Sequence, residues 1–137
     1  MYDPQLVQPM REELTRAGFA ELLTAEAVDE ALRGTPGTAL VMVNSVCGCA
    51  ARNGRPAAIL AAHHPRRPAR LFTVFAGQDV AATERARSYF TGYPPSSPSM
   101  GLLKDGALVF MLERRRIEGR PAPEIAADLI AAFDRHC

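Results

Sequence analysis

The spacing of apolar residues changes along the chain, and each change marks an element. Asp3 can cap a helix with Pro4 at its first position, and Leu6, Met10 and Leu14 then recur at helical intervals before Gly18 stops the run. A second helix starts at Thr24, carries Glu26 in its first turn, buries Ala27, Val28, Ala31 and Leu32, and ends at Gly34. After Thr35-Pro36-Gly37 the period vanishes. Ala39-Leu40-Val41-Met42-Val43 is one unbroken apolar run, the pattern of a strand covered on both faces. Residues 57–62 return to a helical pattern that ends near His63-His64-Pro65, and residues 71–75 read as a second buried strand. Residues 79–90 predict another helix, although Val80, Thr83, Ala86, Arg87 and Phe90 do not make a clean stripe. Pro94, Pro95 and Pro98 exclude regular structure over 91–99. Two apolar runs flanking Lys104-Asp105-Gly106 predict a hairpin, and a last helix places Ile125, Leu129, Ile130 and Phe133 on one face.

This order predicts an α/β fold: a mixed central sheet with helices on both faces and an N-terminal helical extension over residues 1–37. The pattern does not give the sheet's topology. A length of 137 residues, with 47% hydrophobic and 23% charged, suits one domain spanning 1–137 around a sizeable core. The net charge of +1 gives no reason to expect a nucleic acid or an anionic membrane as partner. No apolar stretch is long enough to span a bilayer, and Met1-Tyr2-Asp3-Pro4 lacks the basic start and apolar run of a secretory leader, so a cytoplasmic protein is expected. The three cysteines are an odd set, and two of them are one residue apart. In a reducing compartment such a pair points to catalysis, redox sensing or metal binding rather than to a structural disulfide.

Cys47-Gly48-Cys49 falls just after the predicted strand and just before the predicted helix. That junction puts a sulfur near the unpaired N–H groups and positive dipole of a helix start, which stabilise the nucleophilic thiolate. Arg52 and Arg55 add positive charge, and no carboxylate lies between Asn44 and His64. Gly48 gives the backbone freedom to bring the two sulfurs together. A Cys-x-Cys disulfide closes a smaller ring than Cys-x-x-Cys. Ring strain of ~2 kcal/mol would raise its reduction potential by roughly 45 mV, making the pair a poor general reductant. Two other readings stay open. The cysteines can be small buried residues at a tight turn. Alternatively, Cys47, Cys49, Cys137 and His63 or His64 can form a metal-binding module that is not an enzyme, although the spacing is not that of a usual zinc knuckle.

Several blocks together resemble the bacilliredoxin family across nearly the whole chain. They are Tyr2-Asp3-Pro4-Gln5, Pro9-Met10-Arg11, Val43-Asn44-Ser45-Val46-Cys47-Gly48-Cys49-Ala50-Ala51, Arg55-Pro56-Ala57, Pro95-Ser96-Ser97-Pro98-Ser99, Lys104-Asp105-Gly106 and Ile117-Glu118-Gly119-Arg120. The resemblance implies a thioredoxin-like fold and an enzyme that removes bacillithiol from protein mixed disulfides, with disulfide isomerase or general reductase activity as the alternative. By that likeness Cys47 is the nucleophile and Cys49 the resolving thiol, no cofactor is bound, and bacillithiol is a co-substrate. Bacillithiolated client proteins and a low-molecular-weight thiol are the partners. The same likeness makes Ser97-Pro98 a cis peptide facing the nucleophile, with the Ser97 backbone open to a substrate strand, and places Gly48 and Asn44 at the substrate. Arg52 stands where a small residue is usual in the family, and either approaches a carboxylate-bearing ligand or points to solvent. Pro56 is either a kink proline of the active-site helix or the start of a helix capped by Asn53. His63 and His64 are expected at an exposed helix end, and Arg114-Arg115-Arg116 at a solvated hairpin end. Cys137 is expected to be mobile and exposed, as a second resolving thiol or an incidental one.

Overall fold

The computed structural model describes all residues, 1–137. Helix α1 (Pro4–Thr15) is capped by the Asp3 side chain, which accepts the Gln5 N–H, with Pro4 at the first position. Its buried residues are Val7 and the expected Leu14, whereas Leu6 is about half exposed, so Val7 takes the inward place expected of Leu6. Strand β1 (Ala20–Glu21) follows, then α2 (Ala25–Leu32), capped by Thr24. Next come strand β2 (Thr38–Asn44), helix α3 (Arg55–Ala61), strand β3 (Arg70–Phe75) and helix α4 (Val80–Ser88). The hairpin β4 (Ser99–Lys104) and β5 (Ala107–Leu112) and helix α5 (Ala122–His136) complete the chain.

The sheet order is β1-β3-β2-β4-β5. β1 and β2 both run parallel to β3, and β4 is antiparallel to β2 and β5. Every residue of β2 is buried, as its continuous apolar run requires. Leu40 and Met42 point to one face, packing with Leu14 of α1, the alanines of α3 and the apolar stripe of α5. Ala39, Val41 and Val43 point to the other, against α2, α4 and Phe90. The hairpin turn adopts positive φ at both Asp105 (52°) and Gly106 (83°), as a tight two-residue turn demands. Asp105 also pins that turn to the loop before β2, by accepting the Gly37 N–H and donating its own N–H to Gly37 O.

Residues 1–37 contribute more than the two expected helices, because β1 adds an edge strand to the sheet. Two residues carry no readable period, which is why the sequence did not reveal it. Arg11 fixes α1 to this edge with a bidentate pair to Asp79 (2.8 and 2.9 Å) and a contact to Glu21 (3.1 Å), its guanidinium lying 5.2 Å from the centre of the Phe75 ring.

Candidate functional site

β2 delivers the chain to the sheet's C-terminal edge, where Ser45 and Val46 turn it into the helix that begins at Gly48. The Cys47 carbonyl accepts the Ala50 and Ala51 N–H groups (3.1 Å each), so Cys47 occupies the capping position of that helix. The first turn passes into a π-helical turn, Ala50–Gly54, before the α-helical α3. Pro56 follows this widened turn, which accommodates a residue with no N–H to donate. The helix therefore does not restart at Asn53: its side chain caps nothing and donates to the Arg120 carbonyl instead. Gly54 faces Pro98 across the site. A Cβ at Gly54 would stand 3.4 Å from the Pro98 ring and 3.3 Å from the Met42 methyl, so the two segments are packed closely here. The Ser97–Pro98 peptide bond is cis.

Both cysteines are partly exposed free thiols. Burial is the largest influence on Cys47 and pushes its pKa up. Hydrogen bonds from the Ser45 hydroxyl (Oγ to Sγ, 3.1 Å), the Ala50 N–H, the Cys49 thiol and the Cys49 N–H together outweigh it, and the thiol lies below its ordinary value. Two of these donors are backbone groups of the helix start. The pair thus consists of one thiol of lowered pKa and a neighbouring thiol within hydrogen-bonding reach.

The arginines divide the work differently from their order in the sequence. Arg55 is 2% exposed and does not face the sulfurs. Its Nη1 donates to Asn44 Oδ1 and Ser45 O (both 2.9 Å), and its Nε lies 3.1 Å from Glu13. Asn44 is equally committed. Its Oδ1 also accepts the Ser45 N–H, and its amide donates to Met10 O. At 1% exposure Asn44 cannot touch a substrate; its role is to hold the Ser45 turn in place. Gly48 does not use positive φ, and it is exposed at the helix start. A Cβ there would lie 2.7 Å from the Arg52 guanidinium, which is folded over it on the exposed side of the helix start.

Arg114, expected to be merely solvated, is the cation that reaches the cysteines. Its Nη2 donates to Cys49 Sγ (3.5 Å), its Nη1 to Ser97 O (3.3 Å) and its Nε to Glu118 (3.1 Å). The Glu118 hydrogen bond, then the Cys49 and Cys47 sulfurs, hold its pKa above the ordinary value. Arg87 lines the same groove, a cavity of about 370 Å³ lined by Tyr2, Ser45, Cys47, Arg87, Ser97 and Arg114 among others. For Arg87 the only readable sign was the charge that spoils the α4 stripe. Arg114 gave none, because it is 65 positions from Cys49 and arrives through the hairpin. A larger cavity, about 500 Å³, lies between the ends of α1 and α3 and the start of β3 and is lined by neither Cys47 nor Cys49.

The metal-binding alternative fails on placement. His63 and His64 sit just past the far end of α3, bound to Ile59 O and Asp134 respectively. Cys137 lies beside Thr38, at the start of β2, whereas Cys47 follows its end. No three His, Cys, Asp or Glu side chains come close enough to hold an ion. Cys137 is also partly buried against the core, with its N–H bonded to Phe133 O, rather than free, and it is remote from any resolving role.

The parallel-then-antiparallel sheet, the cis proline and a helix-capping cysteine define a thiol–disulfide oxidoreductase of thioredoxin-like fold. Solved thioredoxins share that fold: one from Malassezia sympodialis has a TM-score of 0.57 at 12% identity, covering 86% of this chain and 90% of its own. One from Fasciola hepatica has a TM-score of 0.55 at 20% identity, covering 87% and 100%. A family profile described as "Disulphide isomerase" matches residues 2–137. Proteins named bacilliredoxin are similar over the full length. That of Koribacter versatilis is 59% identical over 100% of this chain and 94% of its own, and that of Staphylococcus epidermidis is 50% identical over the same shares. One from Bacillus cereus is 56% identical over 96% and 91%. The chain belongs to the bacilliredoxin family.

Proposed function

We propose that this protein removes bacillithiol from client proteins that carry it as a mixed disulfide, with Cys47 as nucleophile and Cys49 as resolving thiol. The observation that carries this reading is the Cys47 sulfur, lowered in pKa by four hydrogen bonds while opening onto a groove of about 370 Å³. The Cys47 thiolate attacks the bacillithiol sulfur. A Cys47–bacillithiol disulfide forms, the client's disulfide bond breaks, and the client leaves as a thiolate that takes up a proton. Cys49 then attacks Cys47, its proton passing to solvent. The small thiol departs and the Cys47–Cys49 disulfide remains, to be reduced by two electrons from an external thiol. The need for such a reductant favours the cytoplasm as the working compartment. No helix is long and apolar enough to cross a membrane.

The test is release of the client thiol from a bacillithiolated protein. Cys47→Ser is expected to release none, and Cys49→Ser to complete one exchange and stop. Undiminished release by Cys47→Ser would overturn the assignment. A second reading, disulfide isomerisation, is favoured by the Ser97 N–H, which has no partner within the chain and is available to a substrate strand beside Cys47. Reactivation of a scrambled disulfide protein by the Cys49→Ser variant would support it, because isomerisation needs only one attacking sulfur.

A further inference from the structure

We infer that Arg87 and Arg114 form a carboxylate-binding subsite that selects acidic low-molecular-weight thiols as the group transferred to Cys47; this rests on the dethiolation reading above. The groove lining includes these two guanidinium groups together with Cys47, and no carboxylate. Arg87 makes one hydrogen bond, to Ser96 O at 3.3 Å, of the five its guanidinium can donate, and its Nε is buried without a partner. It stands in no ion pair, although a partly buried arginine is ordinarily matched by a carboxylate. The nearest acid to Arg114, Glu118, engages its Nε and leaves the two Nη groups turned to Cys49 and Ser97. A carboxylate entering beside Cys47 would therefore find two cations and displace no existing acidic partner. A small thiol held as a disulfide on Cys47 fits the volume of the groove, and its acid group would supply the acceptor that Arg87 lacks.

Rates of Cys47 exchange with small symmetrical disulfides test this without a client. The readout is the ratio of the rate with anionic dithiodiglycolate to the rate with neutral hydroxyethyl disulfide, which cancels any change in the Cys47 thiolate itself. For the native protein the ratio should exceed one and fall as salt is added. It should drop about tenfold in Arg87→Gln and in Arg114→Gln, as expected for loss of one charge-assisted hydrogen bond. Arg115→Gln, which removes the same charge from a side chain 80% exposed and outside the groove, should leave it at the native value. A ratio unchanged by both groove substitutions, or lowered equally by Arg115→Gln, overturns the subsite. Failure of Cys47 to react with either disulfide would instead overturn the reading on which it rests. A client's own acidic side chain is the other source of a carboxylate. Two neutral peptides, one carrying thioglycolate and one mercaptoethanol as mixed disulfides, are compared with the same pair bearing a glutamate beside the cysteine. The subsite requires the preference to follow the small thiol; a preference following the peptide's glutamate overturns it.

Discussion

Ser45→Ala removes the side-chain donor nearest the nucleophile and has a calculable effect in opposite directions at the two ends of the pH scale. Ser45 Oγ lies 3.1 Å from Cys47 Sγ, and hydrogen bonds to charged groups contribute about 1.5–3 kcal/mol. Cys47 is partly exposed and keeps three other donors, so the lower end, about 1.5 kcal/mol, applies. Loss of that amount disfavours the thiolate roughly tenfold below its titration. A more basic thiolate is also more nucleophilic, by about threefold for a tenfold change in basicity. The variant should therefore alkylate about threefold more slowly than native at acidic pH and about threefold faster on the alkaline plateau, with the midpoint moved upward. The assay is the rate of iodoacetamide labelling against pH in a Cys49→Ser, Cys137→Ser background, since serine at position 49 keeps a hydroxyl donor. A midpoint that stays put or moves down would refute the hydrogen-bond account of activation.

Two further substitutions probe the scaffold. Arg55→Met strips partners from the buried Asn44 Oδ1 and Ser45 O, so denaturant unfolding should register a loss of about 2 kcal/mol, and the Cys47 labelling midpoint should rise as the Ser45 turn loosens. Normal stability with an unmoved midpoint would deny Arg55 its positioning role. Gly101→Ala would drive a Cβ into the Phe90 ring, an overpacking expected to cost about 1–3 kcal/mol in urea unfolding; a neutral result would mean Phe90 can move aside.

The layered fold was legible because burial on two faces writes itself into composition: residues 39–43 of β2 are an unbroken apolar run, and α5 shows its stripe. β1 was not, since its two residues gain their place only by pairing with β3. The placement of Cys47 at a helix start could be read from the strand-to-helix junction, whose dipole and free N–H groups are local properties. The cations could not. Proximity in sequence suggested Arg55, yet its side chain turns inward to the Asn44–Ser45 loop, while Arg114 is carried to Cys49 by strand pairing in the β4–β5 hairpin. Long-range pairing of this kind leaves no periodic trace along the chain.

The central claim is that the small thiol passes to one sulfur, Cys47. Intact mass and peptide mapping after one equivalent of bacillithiolated client test it most directly. Native protein should become two hydrogens lighter through the Cys47–Cys49 disulfide, and Cys49→Ser should gain one bacillithiol, mapped to Cys47. An adduct on Cys49 or Cys137 with Cys47 left as a free thiol would contradict it.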